Sequence, residues 1–198
     1  MKAPPKELAE RLWDASDEIL KPGVDMRIDD LAALVGVPRA TLYYYFSGKD
    51  DVFEFLLAQK LQRGTVSIAE ALDTTGSAVE RLTAVLHALL QTAADHPELC
   101  TRLLGRMIND GTSGQLMHEI DQTLMAPVRA LLTEAQHEGD LALADAADTT
   151  LSLIGSLAIV AMVRTTRGTF DPNEVAEWWI PQVLNGLRPR SFPDTALH

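Results

Sequence analysis

The chain has 198 residues, 46% of them hydrophobic, which allows a substantial core in one large domain or in a small domain joined to a larger one. Its formal net charge of −11 argues against a protein that coats nucleic acid through bulk positive charge. The single cysteine, Cys100, excludes an intrachain disulfide and, with a charged N-terminus that lacks a signal-peptide apolar region, predicts a cytoplasmic protein.

The first third of the chain predicts a series of short helices. A first helix follows Pro4 and Pro5 and ends at Pro22-Gly23, and its apolar residues recur at helical spacing: Leu8, Leu12, Ala15 and Ile19. A second helix is predicted over residues 28–35 and ends at Gly36, which can adopt positive φ. A third is predicted over residues 38–46. Two short helices joined through a glycine turn are typical of a helix-turn-helix unit.

The third helix carries an unusual aromatic run, Tyr43-Tyr44-Tyr45-Phe46, inside a window of 19 residues, 31–49, that contains no Asp or Glu. Spacing places Leu42 and Phe46 in a small core with Leu31 and Val35 and leaves the tyrosines outside it. A tyrosine hydroxyl can donate to a phosphate oxygen without adding charge. We therefore expect the tyrosines to contact DNA, mainly its backbone; the alternative is that their rings pack on the first helix.

A fourth helix is predicted to begin with the capping box Ser47-Gly-Lys-Asp50 and to bury an apolar face made by Val52, Phe53, Leu56, Leu57 and Leu61. Further helices are predicted around residues 79–90, from residue 95 onward, over 116–136 with an interruption at Pro127, over 151–167 and over 172–187, with a loop at 109–114. The uncharged stretch 149–163 has 15 residues, whereas a membrane span needs about 20, so it predicts a buried helix and no membrane partner.

Residues 28–53, IDDLAALVGVPRATLYYYFSGKDDVF, resemble the DNA-binding segment of the tetracycline-repressor (TetR) family of bacterial transcription regulators. The matching features are Gly36-Val37, Thr41-Leu42-Tyr43, Tyr45-Phe46 and Lys49. The resemblance implies an all-α protein: a three-helix helix-turn-helix DNA-binding domain over residues 1–48 and a larger helical ligand-binding and dimerisation domain over 49–198. It also implies a homodimer, with residues 127–138 and 147–166 as the dimerising helices. Such a dimer binds a palindromic double-stranded operator and releases it when a small-molecule effector enters the second domain.

Carried over by position, the resemblance implies DNA contacts at the residues Arg27, Arg39, Ala40, Thr41, Tyr43, Tyr44, Tyr45 and Lys49. Arg39 suits a bidentate contact with guanine, and Arg39, Ala40 and Tyr44 match the variable, sequence-reading positions. Arg27 stands where the family often has a capping Ser or Thr, so Asp25 or another group must cap the second helix. Pro38 similarly replaces a common Ser at the start of the third. Asp29 has two interpretations: it accepts from a cytosine amino group, or it pairs with Arg27.

The sequence signals for an effector pocket, a metal site or a reactive cysteine are weaker than the DNA-binding signal. Six apolar residues could line an effector pocket or be ordinary core: Leu86, Leu90, Leu103, Met107, Met125 and Met162. Gly155, Ser156, Ala158 and Ala161 would allow another helix to pack closely, and Trp178 and Trp179 would cover the domain end or wall the pocket. His96, Cys100 and His87 do not complete a metal site, and Cys100 could be a redox sensor or a buried hydrophobe. No cofactor is predicted. An enzyme, or a helical dimer that acts only through protein partners, are the alternative functions.

Overall fold

The computed structural model describes residues 2–21, 25–98, 100, 101 and 115–189. All regular secondary structure in these residues is helical, which confirms the predicted all-α fold. The helices are α1 (Lys6–Asp14), α2 (Ser16–Ile19), α3 (Ile28–Leu34), α4 (Arg39–Tyr45), α5 (Lys49–Leu72), α6 (Ala78–Asp95), α7 (Gln115–Ile120), α8 (Ala126–His137), α9 (Ala146–Thr166) and α10 (Pro172–Gly186). A π-helical turn, Asp121–Met125, joins α7 to α8, and residues 97, 98, 100 and 101 are also helical.

The chain forms two compact units. The first comprises Met1–Gly64 and His96–Ile120, and the second comprises Thr65–Asp95 and Asp121–His198. Each unit is a set of residues that pack mainly with one another. The boundary expected after residue 48 instead separates the DNA-binding domain from the ligand-binding and dimerisation domain. That functional boundary therefore stays a prediction.

The first unit has the small core that the periodicity predicts. Leu31, Val35, Leu42 and Phe46 are all buried, together with Leu8, Leu12 and Ile19 from the first two helices. The predicted single first helix is instead two, because Ala15 leaves helical geometry with φ −91° and ψ 1°. The apolar spacing survives this break, and the predicted end at Pro22-Gly23 lies outside the described residues.

The turn between α3 and α4 depends on Gly36, whose φ is +65°. Its N–H donates to Ala33 O at 3.2 Å, and the next N–H, of Val37, donates to Ala32 O at 3.0 Å, so these two carbonyls in the last turn of α3 are satisfied. Arg11 Nη1 on α1 donates to the Gly36 carbonyl at 3.0 Å. These contacts fix where α4 begins relative to α3.

The start of α5 differs in detail from its prediction. The Ser47 N–H donates to the carboxylate of Asp51 at 2.8 Å, so the expected role of Asp50 is wrong by one residue. The reason is that α5 begins at Lys49, which makes Asp51 the third helical residue. On the apolar face Val52, Leu56 and Leu57 are buried, whereas Phe53 and Leu61 are only half-buried. Their neighbour Lys60, unexpectedly, is fully buried.

The second unit packs α6, α8, α9 and α10 around one apolar core. The predicted interruption at Pro127 is confirmed: the helix ahead of it changes to the π turn, and Pro127 occupies the first turn of α8, where a missing N–H costs nothing. Trp179 is part of this core. Trp178 is instead exposed, with the Arg164 guanidinium 5.8 Å from its ring centre.

Helix α9 is not simply a buried helix, as its uncharged stretch predicted. Leu153, Ile154, Leu157 and Ala161 face the core, but Leu151 and Ile159 on the opposite face are exposed. The helix has 21 residues, and an 18-residue window within it has a mean hydropathy of 1.7. By length and composition only, it is long and apolar enough to cross a membrane, and 28% of the window is buried inside the protein. The prediction is therefore corrected to a helix with one buried and one uncovered apolar face.

Candidate nucleic-acid interface

Helix α4 presents the predicted set of side chains on its outer surface. Arg39, Ala40, Tyr43 and Tyr44 are exposed, while Thr41 and Tyr45 are half-buried. Leu42, fully buried on the opposite side, anchors the helix to the small core. The sequence therefore orients α4 through one apolar position and leaves the remaining ones for contact with a partner.

The three tyrosines of α4 have rings in contact with neighbouring side chains. The Tyr44 and Tyr45 rings meet edge to face, with 4.9 Å between centroids, and Lys2 Nζ lies 4.2 Å from the centre of the Tyr44 ring. Among the described residues, none of the three hydroxyls makes a hydrogen bond. A free phenol hydroxyl on an exposed helix can donate to a phosphate oxygen.

Arg39, the predicted base reader, is held by an acidic side chain. Its Nε lies 2.7 Å from Oδ1 of Asp29 in the first turn of α3, and its guanidinium carbon lies 5.3 Å from the centre of the Tyr43 ring. The prediction that Asp29 pairs with Arg27 is therefore wrong. The reason is geometric, because the Gly36 turn brings the N-terminus of α4 next to the first turn of α3.

Lys49, the predicted phosphate contact, is also paired with an acid, Asp25. Capping of α3 by Asp25 stays a prediction. The Arg27 side chain makes no cap hydrogen bond, and Asp30 instead reaches back so that its carboxylate accepts from the Arg27 N–H at 2.9 Å. Arg27 itself, whose side chain has no acceptor atom, is exposed.

A charged cluster around Lys60 lies inside the first unit. Lys60 Nζ donates to Asp17 Oδ1 at 2.7 Å, forms an ion pair with Glu98 Oε1 at 2.9 Å, and lies 3.5 Å from His96 Nδ1. It is also 5.3 Å from the centre of the Trp13 ring. The hydrogen bond from Lys60 holds the pKa of Asp17 below its ordinary value. Burial alone would lower the pKa of Lys60, but the two carboxylates outweigh it and raise that pKa.

The Lys60 cluster was not predicted from the sequence, although the sequence contains a signal for it. Lys60 follows Val52 and Leu56 at intervals of four residues, which places it on the buried face of α5. A lysine on that stripe requires a buried counter-charge.

The alternatives for Cys100 and the histidines receive little support. Burial raises the pKa of the Cys100 thiol to about 11, so at neutral pH it is protonated and a poor nucleophile. Within the described ranges, no group of three or more His, Cys, Asp or Glu side chains could hold a metal ion.

The predicted effector-contact residues occupy different environments. Leu86 and Leu90 are fully buried in the core of the second unit, and Met125 packs partly buried against it. Met162 is half-buried on α9. Leu103 and Met107 lie outside the described residues. Their contact with an effector stays a prediction.

Comparison with known proteins decides the family. Residues 15–56 match the family profile "Bacterial regulatory proteins, tetR family", and residues 75–187 match "Tetracyclin repressor-like, C-terminal domain". The chain belongs to the TetR family. It is accordingly a transcriptional regulator with an N-terminal DNA-binding domain and a C-terminal ligand-binding domain. Its relatives in the family are regulators and not enzymes.

Solved structures of TetR-like regulators share its fold. They include a fatty acid degradation regulator, FadR, from Bacillus halodurans (23% identity, TM-score 0.75, 96% of this chain and 100% of that one). FadR from Bacillus subtilis, solved with stearoyl-CoA, is 17% identical (TM-score 0.72, 90% and 99%). The ketosteroid regulator KstR2 from Mycobacterium tuberculosis is 16% identical (TM-score 0.70, 95% and 98%). No curated protein sequence matches this chain.

Proposed function

We propose that this TetR-family regulator is a cytoplasmic homodimer that represses transcription at a palindromic operator and releases it when a small apolar effector binds. The observation that carries the proposal is the outer surface of α4, where Arg39, Ala40 and three tyrosines surround one buried anchor, Leu42. A helix of seven residues is about 10 Å long, which fits a major groove about 12 Å wide.

Two copies are needed for useful specificity. One short helix reads only a few base pairs, whereas a two-fold dimer reads the same half-site twice and so selects a palindrome.

The uncovered face of α9 supports a dimer. Leu151 and Ile159 are exposed at helical spacing, and between them a Cβ at Gly155 would meet no atom within 4 Å. Together with α8, this face would form a four-helix bundle with its copy.

An apolar effector is supported by the composition of the second unit. The predicted contacts there are Leu and Met side chains, and Leu86 and Leu90 lie within a continuous apolar core. Three structural neighbours are named for fatty acid regulation or shown with stearoyl-CoA, and another is named for ketosteroids. An effector with a large hydrocarbon part is the class consistent with both observations.

The function is tested by selecting bound sequences from a random DNA pool with the full chain. We expect a palindromic consensus with two equal half-sites. Enrichment of no sequence, or of a single unrepeated half-site, would contradict operator recognition by a dimer. In that case a dimer acting only through protein partners becomes the better description.

The effector class is tested on the selected operator. We expect long-chain acyl-CoA, a free fatty acid or a steroid to release the DNA, while coenzyme A alone does not. Release by coenzyme A alone, or by none of the apolar compounds, would contradict the assignment without affecting operator binding.

A further inference from the structure

Two of the three cations predicted to contact DNA are paired with acids that lie just before α3 or in its first turn. Lys49 pairs with Asp25, and Arg39 pairs with Asp29. Acids near a DNA-binding surface oppose binding, because they add repulsion against the phosphates. Exposed ion pairs also contribute little to folding. The Asp29 pair therefore needs a different physical explanation.

The geometry around Asp29 supplies one. Its Oδ1 is covered from solvent and makes no well-aligned hydrogen bond, although Arg39 Nε is 2.7 Å away. The arginine's positive charge is thus what compensates this carboxylate oxygen. If Arg39 moved out of reach, the covered oxygen would lose its counter-charge, which is costly. Asp29 therefore restrains Arg39 and also orients it.

The restraint leaves the recognition end of the guanidinium available. Asp29 contacts Nε, so the two terminal Nη groups keep their N–H donors, and the nearby Tyr43 ring limits the guanidinium from a second side. Two parallel N–H donors are what guanine O6 and N7 accept. Arg39 is 64% exposed, so those donors can reach a base without leaving Asp29.

We propose that Asp29 is a specificity-determining residue, which positions Arg39 for one base pair in each half-site and makes no base contact itself. The inference rests on the proposed operator binding. It predicts that removing the Asp29 charge relaxes sequence preference at the position that Arg39 reads. An acid that only repels phosphates would leave the preference unchanged.

The test measures affinity for the selected operator and for its variants at each position. Five proteins are compared: wild type, Arg39→Ala, Asp29→Asn, the double variant, and Asp25→Asn as the matched control. Asp25→Asn removes the same charge from the same surface without touching Arg39. We expect Asp29→Asn to lower discrimination about 5- to 10-fold at the position that Arg39→Ala also relaxes, within the range of one bidentate base contact. In the Arg39→Ala background it should add nothing, and Asp25→Asn should strengthen binding to all sequences alike.

Other results would overturn the inference. If Asp29→Asn behaves like Asp25→Asn, Asp29 is only a repulsive charge; if it relaxes a different position, Asp29 reads a base itself. If Arg39→Ala relaxes no position, the inference fails while operator binding stands. If wild type selects no consensus, the proposed function fails first and the inference fails with it. Melting curves of each variant establish that these comparisons are made on folded protein.

Discussion

Removing the hydroxyl oxygen of each α4 tyrosine tests whether the hydroxyl groups or the rings matter for operator binding. Their rings make contacts inside the protein, so replacing the ring would mix packing with binding, but their hydroxyls have no hydrogen-bond partner among the described residues. Tyr43→Phe and Tyr45→Phe should each weaken operator binding about tenfold or more, since a hydrogen bond to a charged group contributes roughly 1.5–3 kcal/mol. Tyr44→Phe should chiefly alter which sequence is preferred.

The measurement is operator affinity together with melting temperature for the three variants. Melting temperatures should stay close to that of wild type, because no described intramolecular hydrogen bond is lost. Wild-type affinity in all three would mean that the tyrosines are packing residues, even if the protein still binds DNA.

The contribution of Lys60 to folding stability can be measured by substitution. Its removal would leave Glu98, with a side chain only 9% exposed, without its cation. Breaking a buried pair in this way typically costs about 3–5 kcal/mol, so Lys60→Met should lower the free energy of unfolding by an amount of that order. Lys60→Met combined with Glu98→Gln should recover part of the loss. Urea unfolding measures both, and equal loss in the two variants would contradict the pairing.

The pH dependence of this cluster has a definite sign. Asp17 has a lowered pKa in the folded protein, so its contribution is present above its ordinary value of 3.8 and is lost as pH falls through the folded value. Lys60 has a raised pKa, so its contribution is present below 10.5 and is lost as pH rises through the folded value. We therefore expect the contributions of Asp17 and Lys60 to the stability difference between wild type and Lys60→Met to be constant between these limits and to shrink outside them.

At the scale of the helices, sequence periodicity predicted most elements and few of the contacts between charges. The core positions of α3 and α4 and the interruption at Pro127 follow from local rules, namely apolar spacing and the missing proline N–H. Asp17 and Glu98 are 43 and 38 positions from Lys60, so only tertiary structure brings them together. The break at Ala15 was not predicted, because the apolar spacing continues through it.

Helix α9 allows a test of the proposed dimer that leaves the core intact. Ile159 is exposed in the protomer, so Ile159→Glu removes no core contact, but it would place a charge in the proposed interface. We expect light scattering to shift from about twice the 21.6 kDa chain mass toward the mass of one chain. Val66→Glu, which also introduces a Glu at an exposed β-branched residue but on α5, should remain dimeric. A dimeric Ile159→Glu protein would place the interface elsewhere.

For the whole molecule, a net charge of −11 must coexist with binding to a polyanion. The 19-residue window without acids provides a local exception, and Lys49 lies at its end. Lys49→Ala should weaken binding to all sequences alike and reduce the slope of log affinity against log salt by about one per half-site. Titrations at several salt concentrations measure this, with Arg39→Ala as the comparison that changes preference. An unchanged slope would mean that Lys49 remains with Asp25 in the complex.

The uncovered face of α9 also has a consequence for how the protein unfolds. If Leu151 and Ile159 close against a second copy, folding and association are one coupled equilibrium. Mass action then makes the melting temperature rise with protein concentration, and a chain at low copy number would be less stable than the same chain in a concentrated sample. Newly made subunits would expose this apolar surface until they meet a partner, which makes the interval before pairing the time of greatest risk from proteases and aggregation.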